Sequence, residues 1–114
     1  MAVECKRVRA GDSTLNASYV AKGVSRFATS QYAAGHDWGF MLGYVLALPA
    51  SDVIDVVDAR IREMYGQAAG LTPEIAHTLC LAVLEGALVQ SSSHTIRLKH
   101  IFVDMLAAAL PKST

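Results

Sequence analysis

The residues best suited to chemistry form two short motifs around His77. Glu74 and His77 are three residues apart, as are His77 and Cys80, so each pair would share one face of a helix. A carboxylate and an imidazole at this spacing bind iron in di-iron bundles, but those sites need a second such motif, which this sequence lacks. One cysteine and one histidine are too few ligands for a zinc site. We therefore expect no metal and no cofactor, and interpret Glu74 as a capping acid and His77 as an ordinary histidine.

A second group of polar residues is a candidate small-molecule pocket. His36 and Trp38 stand at the predicted start of a helix, where free backbone amides bind anions and an indole ring can stack on a ligand. His100 and Asp104 are four residues apart and share the outward face of the last predicted helix with Arg97. The candidate ligand pocket therefore consists of His36, Trp38, Arg97, His100 and Asp104.

No catalytic motif accompanies these residues. The sequence contains no G-x-S-x-G nucleophile elbow, no phosphate-binding glycine loop and no EF-hand loop. A histidine and an aspartate four residues apart on an amphipathic helix are more often a solvated contact than a catalytic dyad. We therefore predict no catalytic residues, with a small enzyme or sensor that uses the pocket as the alternative.

The composition is that of one compact domain. The chain has 114 residues, of which 53% are hydrophobic and only 18% are charged, and its ten basic and ten acidic residues cancel. Such a chain buries a core and is not a disordered segment. Zero net charge argues against nucleic acid as a partner. The helix-turn-helix candidate, 61–79, also lacks basic residues in its second helix, which would have to contact DNA.

Secretion and membrane insertion are not expected. The basic N-terminal residues have no apolar stretch behind them, unlike a secretory signal. The longest apolar run, 38–50, has thirteen residues, whereas a bilayer span needs about 20. Cys5 and Cys80 match no metal-binding or redox spacing, so we expect two free thiols in the cytoplasm.

The spacing of apolar residues, together with helix start and stop signals, predicts an all-α bundle of about five helices. Asp12 or Ser13 caps the first helix, and Ser51 caps the third, in which Asp58 and Arg62 form an i,i+4 ion pair. The predicted helices span 14–34, 38–48, 52–65, 73–90 and 94–110, and the fourth has Thr72 as its cap and Pro73 as its first residue.

The N-terminal segment is set apart from the helices. Val3–Val8 is the one stretch that suggests a strand, but it is short and has no obvious local partner. Lys6, Arg7 and Arg9 give it a basic character. We therefore divide the chain into a basic N-terminal arm, residues 1–11, and a single helical domain, residues 12–114.

Two glycines in the predicted second helix indicate close packing. Gly39 and Gly43 are four residues apart, and each costs a helix about 1 kcal/mol relative to alanine. A G-x-x-x-G spacing lets a second backbone approach closely, either within the chain or between two chains. For a symmetric contact between two chains, the predicted interface residues are Gly39, Phe40, Met41, Gly43 and Tyr44. A Gly43→Leu substitution should then weaken the dimer without unfolding the chain.

These observations predict a small non-enzymatic interaction module that forms a homodimer and binds another protein or its own copy. A chain of this size buries only about two-thirds of its unfolded surface, so the apolar excess favours self-association. The alternative is a small-molecule sensor or enzyme with a pocket near His36 and Trp38. Neither nucleic acid nor a membrane is an expected partner.

Overall fold

The computed structural model describes residues 2–29, 36–73 and 82–104. These residues form an α/β fold with two helices and a five-stranded sheet, so the prediction of an all-α bundle is wrong. The strands are β1 (Val3–Val8), β2 (Trp38–Val45), β3 (Thr72–Pro73), β4 (Ala82–Val89) and β5 (Thr95–Asp104). The first helix runs continuously through α1 (Ser13–Ser18), a π-helical segment (Tyr19–Val24) and α2 (Ser25–Ala28). The second is α3 (Ala50–Tyr65), which a 3-10 turn, Gln67–Ala69, follows.

The sheet is mixed, with strand order β1-β2-β5-β4-β3. β2 lies parallel to both of its neighbours, β1 and β5, whereas β4 lies antiparallel to β5 and to β3. The first helix connects β1 to β2, and α3 leads out of β2. β4 and β5 form a hairpin in which the amide of Gln90 donates to the carbonyl of His94.

Both helices cover one face of this sheet, and the hydrophobic core lies between the sheet and the helices. Burial alternates along β2 and along most of β5, as expected for strands with one covered face. Strand residues such as Met41, Leu88 and Phe102 pack in one cluster with Tyr19 and Phe27 of the first helix. The cluster also contains three residues of α3, namely Val53, Val57 and Ile61. The opposite face of the sheet is covered by no described helix.

Local signals place both helices where the sequence predicts them. The carboxylate of Asp12 accepts a hydrogen bond from the amide of Leu15, which confirms Asp12 as the cap of the first helix. The predicted 52–65 helix is α3, although Pro49 rather than Ser51 occupies the capping position. The predicted pair in α3 is also present, with Arg62 Nε 2.9 Å from Asp58 Oδ1. The same carboxylate accepts from the amide of Leu71, so it ties α3 to the segment that leads into β3.

Three of the five predicted helices are wrong in the described residues. The predicted 38–48 helix is β2, and residues 95–104 of the predicted 94–110 helix form β5. In the predicted 73–90 helix, the cap Thr72 and the first residue Pro73 form β3 and residues 82–89 form β4, while 74–81 lie outside the described residues. β2 and β4 have apolar side chains on both faces, a pattern that periodicity alone does not separate from a buried helix.

The N-terminal segment is part of the sheet. Val3–Val8, assigned above to a basic arm, forms β1 and pairs with β2 over its whole length. Its strand prediction is confirmed, and its partner is the distant β2 rather than a local neighbour. Residues 30–34 of the predicted first helix lie outside the described part of the chain, as do 105–110 of the fifth.

Candidate functional site

The open face of the sheet, meaning the side away from the described helices, is the first candidate interaction surface. Residues that pair across neighbouring strands point to the same side, so Phe40 shares this face with Val3 and Lys99. Trp38 is 41% exposed and Val89 is 63% exposed, high values for such large apolar side chains. By the alternation of the strands, the apolar residues of the open face are Val3, Cys5, Trp38, Phe40, Leu42, Tyr44, Val83, Ala87, Val89, Ile101 and Val103.

Cations flank the aromatic residues of the open face. The guanidinium carbon of Arg97 lies 5.1 Å from the centroid of the Trp38 ring, and Lys99 Nζ lies 5.5 Å from it. Both distances fall within the range of cation–π attraction. Arg97 also forms an ion pair with Glu85, and Arg7 adds a third cation opposite Tyr44. The open face is therefore apolar and aromatic with an excess of positive charge, although the whole chain is neutral.

The structure brings together part of the predicted ligand pocket. His36, Asp37, Trp38 and Phe40 line a surface cavity of about 440 Å³ at the start of β2, and Trp38 lies opposite Arg97 in the sheet. The sequence analysis missed His94, whose Nε2 atom lies 3.0 Å from the carbonyl oxygen of His36 and 3.4 Å from Asp37 Oδ1. The parallel pairing of β2 with β5 brings His94 to this end, so no local signal identifies it.

The other two predicted pocket residues lie elsewhere. Asp104 is opposite Val45 at the far end of β5, seven residues from Arg97 and about 23 Å away along the strand. His100 is 1% exposed and points into the core beneath the helices. Its Nδ1 atom lies 2.8 Å from the hydroxyl of Tyr19, the first residue of the π-helical segment. The predicted contact between His100 and Asp104 requires a helix, but both residues lie in strand β5. Residues four apart in a strand are about 13 Å from each other, so the two side chains do not pair.

Burial sets the chemistry of the Tyr19–His100 pair. It lowers the pKa of His100 to about 3 and raises the pKa of Tyr19 well above its ordinary value, because a charged form of either ring would lose its water. Both rings are therefore neutral at physiological pH. Because both side chains are buried, the pair joins the first helix to β5 within the core and is not accessible to a substrate.

The predicted dimer residues divide between the two faces of β2. Gly39, Met41 and Gly43 lie under the helices and are buried. A Cβ atom on Gly43 would lie 2.6 Å from Phe102 Cδ1, and one on Gly39 would lie 2.6 Å from Phe27 Cε1. The absence of a side chain at Gly39 and Gly43 therefore lets the rings of Phe27 and Phe102 pack directly against the backbone of β2 within the same chain. Phe40 and Tyr44 point to the open face, where a partner can reach them.

β1 forms one edge of the sheet, and no described strand pairs with its outer side. The carbonyl of Ala2 accepts from the amide of Phe40 in β2, and the carbonyl of Val8 accepts from the amide of Leu46, the residue after β2. Because backbone groups alternate in direction along a strand, the N–H and C=O groups of Val3, Cys5 and Arg7 point away from the sheet. This edge is a second surface at which another chain can bind.

The predicted metal motif lies outside the described residues, since Glu74, His77 and Cys80 all fall in 74–81. Elsewhere in the described chain, no three His, Cys, Asp or Glu side chains come close enough to share a metal ion. Neither of the two described helices combines the length and apolar character needed to cross a membrane.

Comparison with known proteins identifies no relative from which these surfaces could be interpreted. The open face, the β1 edge and the cavity beside His36 are therefore judged on their own geometry and charge. No known family, curated protein or solved structure gives a significant match to this chain.

Proposed function

We propose that this protein is a small non-enzymatic interaction module that forms a homodimer and binds a second protein through the open face of its sheet. The observation that carries the proposal is the row of Trp38, Phe40, Leu42 and Tyr44 along β2, which no described helix covers and in which Trp38 is exposed and the other three are partly exposed. Soluble domains seldom leave so many large apolar side chains side by side unless another molecule covers them.

The excess of apolar residues supports self-association. With 53% hydrophobic and 18% charged residues, the chain has few polar side chains with which to cover its surface. Large apolar side chains are half exposed outside the open face as well, including Val56 and Met64 of α3. Zero net charge adds no long-range repulsion between two copies, and a two-fold dimer is the commonest closed assembly.

The charge of the open face supports an acidic partner for it. Arg7, Arg97 and Lys99 outnumber Glu85 on this face, so a protein segment with acidic residues among apolar ones is complementary. Three cations are few for nucleic acid, whose binders commonly neutralise six to ten phosphates. We do not propose a nucleic acid or a membrane as the partner. The exposed thiol of Cys5 fits a reducing compartment, and we propose the cytoplasm.

The decisive experiment for self-association is the molar mass in solution. Light scattering coupled to size-exclusion chromatography at tens of micromolar protein should give twice the chain mass of 12.2 kDa. A monomer at that concentration would remove the homodimer from the proposal.

A small-molecule function is the second candidate, and the cavity beside His36 is the observation that favours it. The indole of Trp38 lines this cavity with His36, Asp37 and Phe40, and the two cations beside the indole ring would suit an aromatic carboxylate. Benzoate and indole-3-carboxylate should then change the fluorescence of Trp38, the only tryptophan. Arg97→Gln/Lys99→Gln should abolish that change, and no saturable response at millimolar probe would remove this candidate.

A further inference from the structure

The sequence of β1 becomes self-complementary when two copies of the strand lie antiparallel. If Cys5 lies opposite Cys5 of the partner subunit, Glu4 lies opposite Lys6 of the partner subunit, and Val3 lies opposite Arg7 of the partner subunit. The acidic and basic side chains thus meet twice across the two-fold axis. Cross-strand pairs of opposite charge stabilise a sheet, whereas like charges destabilise it.

The direction of the backbone groups fits this register. Val3, Cys5 and Arg7 present the outward N–H and C=O groups, and in this register they lie opposite one another. Each such pair can exchange two hydrogen bonds across the axis. Glu4 and Lys6 then fall at the closer, non-hydrogen-bonded positions, where side chains interact most strongly.

Neighbouring registers are unfavourable. An axis at Glu4 places that carboxylate against Glu4 of the partner subunit, and an axis at Lys6 places two ammonium groups together. An axis at Val3 or Arg7 shortens the paired segment. The charges on β1 therefore select one register and oppose random pairing, which is how exposed sheet edges avoid aggregation.

The space beside β1 is open among the described residues. A surface cavity of about 480 Å³ beside the strand is lined by Cys5, Lys6 and Arg7 of β1, by Leu15 and Ser18 of α1, and by Tyr44 and Leu46. Glu4 already lies 3.6 Å from Lys6 Nζ and from Arg26 Nε, so its carboxylate is held on the helix side of the edge.

We propose that two copies of this chain dimerise by antiparallel pairing of β1 with β1, in the register centred on Cys5. This inference rests on the proposed self-association and names its interface. The two five-stranded sheets become one continuous sheet, and their open faces merge into one larger surface for the second protein. Phe40 and Tyr44 then belong to that merged surface and not to the dimer contact.

Proline substitution at the edge tests the pairing directly. Cys5→Pro removes an N–H that points outward, so it deletes no backbone hydrogen bond within the chain, and edge strands tolerate proline. The one side-chain contact that it removes is the exposed hydrogen bond from the Tyr44 hydroxyl to Cys5 Sγ, at 3.9 Å. It should raise the dimer dissociation constant by at least about tenfold and leave the melting temperature nearly unchanged. Lys6→Pro is the matched control: its N–H points toward β2, so it should lower the melting temperature.

Charge reversal tests the register. Glu4→Lys and Lys6→Glu each create two like-charge pairs and should weaken the dimer, by about tenfold. The double variant Glu4→Lys/Lys6→Glu restores opposite charges across the axis and should recover the wild-type dissociation constant. In a Cys80→Ser background, a short bismaleimide should link Cys5 to Cys5 of the partner subunit.

The outcomes separate the inference from the proposed function. A wild-type monomer refutes both. A dimer that survives Cys5→Pro and both charge reversals, and that does not cross-link through Cys5, refutes the β1 pairing and keeps self-association. If Phe40→Ser and Tyr44→Ser dissociate that dimer instead, the open faces pack on each other.

Discussion

The hydroxyl of Tyr19 and the Nδ1 atom of His100 lie 2.8 Å apart in the core, joining the first helix to the central strand of the sheet. Both side chains are almost fully buried, and Tyr19 also stacks on Phe102 with ring centroids 5.5 Å apart. A buried polar pair stabilises the fold only while both partners are present. A buried polar atom without a partner has lost its hydrogen bonds to water and has no bond within the protein to replace them.

Removal of one partner should therefore cost more than removal of both. Tyr19→Phe leaves the His100 ring without its hydroxyl and should lower the free energy of unfolding by about 1–3 kcal/mol. The double variant Tyr19→Phe/His100→Phe replaces the pair with apolar rings of similar shape and should be closer to wild type. Urea denaturation of the three proteins measures this, and equal losses in both variants would contradict it.

The same pair predicts a pH dependence of stability. The folded His100 ring has a pKa of about 3, whereas in the unfolded chain its pKa returns to about 6.5. Below pH 6.5 the unfolded chain therefore binds a proton that the folded chain excludes, so stability falls as the pH drops toward 3. The loss between pH 7 and pH 5 should be about 2 kcal/mol.

The Tyr19→Phe/His100→Phe variant provides the control for that loss. It should lose about 2 kcal/mol less than wild type between pH 7 and pH 5, since it has no buried imidazole to protonate. Denaturation curves at the two pH values test this. An identical loss in both proteins would mean that His100 does not contribute.

Gly43 should act on the stability of the chain and not on the dimer. A methyl group there would lie 2.6 Å from the Phe102 ring, so Gly43→Ala should cost about 1–3 kcal/mol, and Gly43→Leu more. From the sequence, Gly43→Leu was expected to weaken the dimer and leave the fold intact. From the structure, we expect it to lower the melting temperature of the chain. Phe40→Ser, on the open face of the same strand, is the control and should destabilise the chain less than Gly43→Leu. A Gly43→Leu protein with an unchanged melting temperature would contradict the packing.

The sequence predicts the helices better than the strands because helix signals are local. The Asp12 cap and the Asp58–Arg62 pair involve residues within one turn of each other, and the structure contains both. β1 pairs with β2 more than thirty residues away, and no local pattern states that pairing. A spacing of four also fits a helix turn and one face of a strand equally well, so Gly39 and Gly43 were ambiguous.

A clearer strand signal is present in β5. From Thr95 to Lys99 polar and apolar residues alternate strictly, with Ile96 and Leu98 buried. This alternation identifies the strand, whereas the helix interpretation depends on Ile101 and Phe102 being adjacent. The candidate site is less accessible to sequence reasoning, because Trp38 and Arg97 come together only through the pairing of β2 with β5.

The environment of Trp38 can be measured in the isolated protein. Its ring is 41% exposed and has two cations within 6 Å, so iodide should quench its fluorescence more strongly than caesium. Arg97→Gln/Lys99→Gln should reduce that preference while neutral acrylamide still quenches. Protection from all three quenchers would show that the open face is covered in the isolated protein.

Self-association through β1 is the central claim, and light scattering of wild type and Cys5→Pro at equal concentration tests it most directly. We predict about twice the chain mass of 12.2 kDa for wild type at tens of micromolar, and a folded protein of close to 12.2 kDa for Cys5→Pro. A wild-type monomer, or a Cys5→Pro protein that remains as dimeric as wild type, would contradict it.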